Sequence, residues 1–162
     1  MKVHRLVREQ LLGGSLDDVF AFFSDVRNLE RMTPRWLGFR ILGTPPDPLR
    51  EGAVIDCSIR LAGVPVRWRT RIVDWQPGRQ FSDTQERGPY ALWDHTHSFR
   101  EVAGGVLMRD EVRYALPLGP LGSLAHALAV RASLGRIFDY RYDVLAGIFP
   151  IDERDRPQVS TR

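Results

Sequence analysis

The sequence predicts an α+β domain in which a curved antiparallel sheet of about seven strands wraps around one long C-terminal helix, with two short helices after the first strand. Three observations carry this. From Trp36 to about residue 116, apolar and polar residues alternate with period two between regularly placed glycine and proline turns. Beyond Pro117 the alternation gives way to apolar spacings of three and four, through Leu124, Leu128, Leu134, Phe138, Leu145 and Ile148. Between the first strand and the alternating region lies a short stretch with helical periodicity.

The elements follow in order. Residues 2–12 alternate imperfectly, as a first strand would, and Gly13-Gly14 ends it. Ser15 precedes Leu16, Val19, Phe20 and Phe23, spaced i, i+3, i+4 and i+7, with Asp18 where a capping-box acid would sit. A second short helix is expected from Asp25, with Leu29 and Met32 on one side, until Thr33-Pro34 stops it. Strands are then expected at 37–42, 53–61, 64–75, 79–86, 91–101 and 106–116. The final helix is expected over residues 121–149, with Gly135 marking a bend or a close approach to the sheet. One domain over residues 1–149 and a polar, aperiodic tail over 150–162 complete the reading.

Composition narrows the function classes. With 43% hydrophobic and 27% charged residues the chain is too apolar for general disorder, and a net charge of +3 is too small an excess to argue for nucleic acid. The single cysteine, Cys57, cannot form an internal disulfide and reads as an inert core thiol in a reducing compartment. The N-terminal ten residues alternate charged and apolar types, unlike a signal peptide, and no stretch approaches the ~20 apolar residues of a membrane span. A cytoplasmic monomer or homodimer is expected. No phosphate loop, Ser-His-Asp signature or nucleotide fingerprint is present, so no cofactor is expected.

The sharpest local feature is the strand around residues 92–99. Period two puts Trp93, His95, His97 and Phe99 on one face, and the next strand puts Met108, Asp110, Val112 and Tyr114 on a matching face. A tight turn near Ala103-Gly104 sets His97 across from Asp110 and Trp93 near Tyr114. Four readings of this cluster stay open. It can be a satisfied polar network in a filled core, the polar end of a ligand pocket, a metal site of His95, His97 and Asp110 that lacks an evident fourth ligand, or a His-Asp acid-base pair. The pocket is the reading adopted, with Trp68, Trp93, His95, His97, Phe99, Asp110, Tyr114, Leu134 and Phe138 as ligand-binding residues and none as catalytic or metal residues. Arg67, Arg69 and Arg71 read as a solvated strand face, and Arg131 and Arg141 as salt-bridge partners at the pocket rim.

Several segments resemble the START-like, helix-grip superfamily (SRPBCC), in the group of polyketide cyclases/dehydrases and lipid-transport proteins that includes birch-pollen-allergen-like members. They are Phe20-Ala21-Phe22-Phe23 with Asn28-Leu29, Phe81-Ser82-Asp83-Thr84-Gln85 with Gly88-Pro89-Tyr90, the strand from Trp93 to Phe99, and Ile137-Phe138-Asp139-Tyr140-Arg141. The last three together are similar to a bacterial subgroup. The resemblance covers about residues 2–149 and implies a seven-stranded sheet gripping the C-terminal helix around a cavity. It also implies a small hydrophobic partner, such as a lipid, polyketide, quinone or polycyclic aromatic molecule. Binding or carriage is the expected role, without metal or nucleotide. The alternative is a cyclase/dehydrase-like or hydrolase-like enzyme using the His/Asp cluster; no catalytic residue carries over, because no cyclase motif is matched.

Overall fold

The computed structural model describes residues 1–117, 119 and 129–152. Strand β1 (His4–Leu12) leads into helix α1 (Leu16–Phe23), a 3-10 turn (Val26–Asn28), helix α2 (Leu29–Met32) and a second 3-10 turn (Arg35–Leu37). Strands β2 (Arg40–Ile41), β3 (Val54–Leu61), β4 (Val64–Gln76), β5 (Gln80–Arg87), β6 (Leu92–Val102) and β7 (Gly105–Ala115) follow, and helix α3 (Arg131–Ile148) closes the chain. The seven strands form one antiparallel sheet in the order β1-β7-β6-β5-β4-β3-β2.

Local chemistry explains the boundaries. Ser15 caps α1: its hydroxyl accepts from the Asp18 amide at 3.1 Å and donates to the Asp18 carboxylate at 2.7 Å, an arrangement worth about 1 kcal/mol. Asp25 likewise accepts from the Arg27 amide, but the helix it opens begins as a 3-10 turn and regularises only at Leu29. The strand expected over 37–42 shrinks to two residues, because Pro34 starts a 3-10 turn that Gly38 ends in the left-handed conformation at φ 51°. The register of β4 with β5 shifts at Arg69/Thr70 and between Val73 and Gln76, and such irregularities bend a sheet.

Alternation on β6 and β7 falls as the sequence predicts. Trp93, His95, His97 and Phe99 are buried on β6, and Val106, Met108, Asp110, Val112 and Tyr114 on β7. The hairpin register pairs His97 with Asp110 and Trp93 with Tyr114. Helix α3 turns Leu134, Phe138 and Leu145 inward; each fully buried side chain of this type contributes roughly 1.5–3 kcal/mol. The first part of the expected helix, with Leu124 and Leu128, lies outside the described residues, as does the tail from 153 onward.

Two hydrogen bonds fasten α3 to β1. Gln10 Nε2 donates to the Tyr142 carbonyl at 2.9 Å, and the Gly13 amide donates to the Phe149 carbonyl at 3.0 Å. Gly13 is required at that crossing, since a Cβ there would stand 2.0 Å from the Pro150 carbonyl oxygen. Of the two roles expected for Gly135, the close approach to the sheet is absent: a Cβ built on it meets nothing within 4 Å.

Candidate functional site: a cavity with a buried histidine-aspartate cluster

The interior is packed as two apolar clusters with a seam between them. One lies under α1 and includes Phe20, Phe23, Phe81, Phe99 and Leu145; the other gathers Trp93, Val112, Tyr114, Leu134 and Phe138. The His95 and His97 rings stand at the junction. His95 meets Phe138 at 5.6 Å between centroids, while His97 meets Phe81 at 4.7 Å and Phe23 at 5.9 Å.

Beside this seam opens a cavity of about 610 Å3, within the usual range for small-molecule sites. Its walls come from the 3-10 turns and α2, the inward faces of β3 to β6, and α3, and they are predominantly apolar. Of the residues singled out from sequence, Trp68, Trp93, His95, His97, Leu134 and Phe138 line it. Phe99, Asp110 and Tyr114 are buried on the expected face but lie off the cavity wall. Phe99 is covered by Phe20 and Phe23 of α1, Tyr114 packs against Trp93 and Tyr90, and Asp110 sits behind the histidines. Alternation fixes the face a residue takes; the helices laid across that face decide which part of it stays open.

The polar cluster holds two residues beyond the expected set, Asp83 and Arg141. Asp110 Oδ1 is 2.8 Å from His95 Nε2, in a hydrogen bond, and 2.8 Å from His97 Nδ1, outside hydrogen-bond alignment. On the other side, Asp83 Oδ2 lies 3.4 Å from His95 Nδ1 and 3.3 Å from His97 Nε2. Arg141, from α3, brings Nη1 to 3.7 Å from Asp110 Oδ1 and also lines the cavity. Asp83 is placed by the β5–β6 ladder, which pairs it with His95 and pairs Phe81 with His97. Period two along β5 puts Phe81 and Asp83 on one face, the signal that could have added Asp83 to the cluster.

Electrostatics set the protonation pattern. Burial opposes ionisation of Asp110 and Asp83, but contact with the two imidazoles outweighs it and holds both carboxyls below their ordinary range. Burial and the neighbouring His97 lower His95, which is therefore neutral. Burial also works against a charged His97, yet Asp110 and Asp83 together raise its pKa. Two carboxylates thus face two imidazoles and the Arg141 guanidinium, and these partners are what makes their burial tolerable.

Cys57 lines the cavity, and burial pushes its thiol up to about 12. That keeps it protonated and unreactive. On the outer face, Arg69 makes two 2.7 Å hydrogen bonds to Asp56 and Arg71 pairs with Glu86, while Arg67 is exposed. Arg131 is exposed as well. Among the described residues no helix is long and apolar enough to cross a membrane.

Solved structures share this architecture. The Zhui aromatase/cyclase from Streptomyces sp. R1128 superposes with a TM-score of 0.71 at 14% identity, covering 91% of this chain and 93% of its own. The ginseng major latex-like protein 151 from Panax ginseng gives 0.66 at 9% identity over 91% and 98% of the two chains. A START superfamily protein from Mycobacterium smegmatis gives 0.63 at 13% identity over 90% and 99%. At these identities the likeness is one of fold. No curated protein sequence matches the chain. Residues 12–139, however, match the family described as polyketide cyclase / dehydrase and lipid transport, and with its helix-grip fold the chain belongs to that family.

Proposed function

We propose that this protein binds one small, largely apolar molecule, of the lipid, polyketide, quinone or polycyclic aromatic class, inside the cavity. The observation that carries the reading is the coexistence of a cavity of about 610 Å3 with predominantly apolar walls and a polar end built from His95, His97, Asp83 and Arg141. Apolar walls supply affinity in proportion to the area they cover, and the polar end supplies orientation. Arg141 Nε and Nη1 are buried without hydrogen-bond partners among the described residues. A ligand oxygen at this end would satisfy donors that are costly to leave unpaired, so a carbonyl, carboxylate or phenolic oxygen on the ligand fits the site better than a bare hydrocarbon.

A second reading, cyclase-like or hydrolase-like chemistry, draws on the 2.8 Å contact between Asp110 and the cavity-facing His95, an acid-base group with an orienting partner. A binder keeps ligand affinity when the histidines become glutamine, whereas an enzyme loses turnover.

The test is a titration with 1-anilinonaphthalene-8-sulfonate, whose apolar rings and anionic group match the two ends of the cavity. Saturable uptake at one site is expected. Filling the cavity from its helical wall with Ile137→Trp should weaken that uptake about tenfold or more, the equivalent of about 1.4 kcal/mol. Absence of saturable binding by this dye and by neutral hydrophobic probes would remove the reading, as would uptake unchanged by the filling substitution in a folded variant.

A further inference from the structure

We infer that Asp83, His95 and His97 form a binding site for one divalent transition-metal ion, with Asp110 behind the two imidazoles as a positioning residue. The ligand atoms available on these three residues lie within 4.8 Å of one another. Asp83 Oδ2 stands 3.4 Å from His95 Nδ1 and 3.3 Å from His97 Nε2. Around an ion bound at about 2.0–2.2 Å, neighbouring ligand atoms of a tetrahedral shell stand about 3.4 Å apart. The two observed edges are already of that length, so the ion could enter with small side-chain adjustments.

The opposite nitrogens of the same rings face Asp110. His95 Nε2 and His97 Nδ1 both lie 2.8 Å from Asp110 Oδ1, leaving His95 Nδ1 and His97 Nε2 directed to the Asp83 side. A carboxylate behind a ligating histidine fixes its tautomer and ring orientation and raises its basicity. Asp110 performs that service for His95 through a hydrogen bond, and stands equally close to His97, from a position 4% exposed. Strand alternation alone places Asp110 among the possible ligands; in the structure Asp110 stands behind the histidines and Asp83 takes its place.

The backbone gives the set rigidity. Asp83 and His95 are register partners on adjacent strands, His97 follows on the same face of β6, and Asp110 is the register partner of His97 on β7. Sites carried by paired strands hold their geometry better than sites on loops. Two imidazoles and a carboxylate suit zinc and the other late first-row divalent ions rather than calcium or magnesium, which prefer all-oxygen shells. All three ligating residues line the cavity, so the remaining coordination positions face the chamber, as in sites with three protein ligands and one open position.

Protein stripped with a chelator is dialysed against Zn2+, and separately titrated with Co2+ while the visible spectrum is recorded. Retention of one equivalent per chain is expected, with the d–d absorption of a nitrogen- and oxygen-bound Co2+ ion. Asp83→Asn and His97→Gln should each weaken Zn2+ retention at least a hundredfold, and Asp110→Asn should weaken it about 10–100-fold, as for other residues behind metal ligands. The wild-type Co2+ spectrum decides the question even where a variant fails to fold. No retained metal and no Co2+ absorption in the wild type would overturn the site, as would stoichiometric uptake that neither Asp83→Asn nor His97→Gln changes. Dye uptake without metal uptake would overturn the metal site alone, and metal uptake without dye uptake would overturn the apolar-ligand site alone.

Discussion

The rings of His95 and His97 stand 3.9 Å apart, centroid to centroid, each turning one nitrogen to Asp83 and the other to Asp110. Alternate residues of a strand share a face about 7 Å apart at the backbone, so rings this close have leaned towards each other. What draws them together is the pair of carboxylates, one on each neighbouring strand. Removing one carboxylate should therefore disturb the whole group. For Asp110→Ala, which removes the buried carboxylate facing both imidazoles and the Arg141 guanidinium, a loss of about 3–5 kcal/mol is expected. Urea denaturation at pH 7 measures it, and a loss below about 1 kcal/mol, ordinary for a surface site, would mean that the cluster is not held as described.

Two glycines, one inside α3 and one facing the chain just beyond it, should respond in opposite ways to an added methyl group. Gly135 lies inside α3 with open space around a built Cβ, so Gly135→Ala should stabilise the protein by about 1 kcal/mol through helix propensity alone. Gly13→Ala would drive a methyl group into the Pro150 carbonyl at 2.0 Å and should destabilise by about 1–3 kcal/mol. Denaturant midpoints of the two variants, compared at equal slope, give both signs in one experiment.

A surface carboxylate provides a test in acid. Hydrogen bonds from Arg5 and then Arg109, opposed by slight burial, bring Glu111 from 4.5 to about 2 in the folded protein. A folded pKa below the unfolded one means that the contribution is complete above about pH 4.5 and is lost as pH falls towards about 2. Glu111→Gln should accordingly melt below the wild type at neutral pH, and the gap should close across that acid window. A gap that stayed constant from pH 7 to pH 2 would assign the effect to packing instead of charge.

Much of the site was legible in the sequence because strand alternation is a local property. The pleat sends Trp93, His95, His97 and Phe99 to one face whatever else the chain does, and the Ala103-Gly104 turn then sets His97 against Asp110. Helix caps are local in the same way, and Ser15 and Asp18 announced α1 by their spacing. Other features depend on segments that meet only in the folded protein. Asp83 joins the histidines through pairing of β5 with β6, and Arg141 reaches Asp110 because α3 lies across the sheet. Phe99 and Tyr114 leave the cavity wall because other aromatic rings cover them. Whether the inward face encloses packed side chains or a chamber of about 610 Å3 is likewise set by how far the helices stand from the sheet. Period two and period three-to-four settle which way a side chain points; the volume between two layers is settled by every residue that props them apart, and no local spacing encodes it.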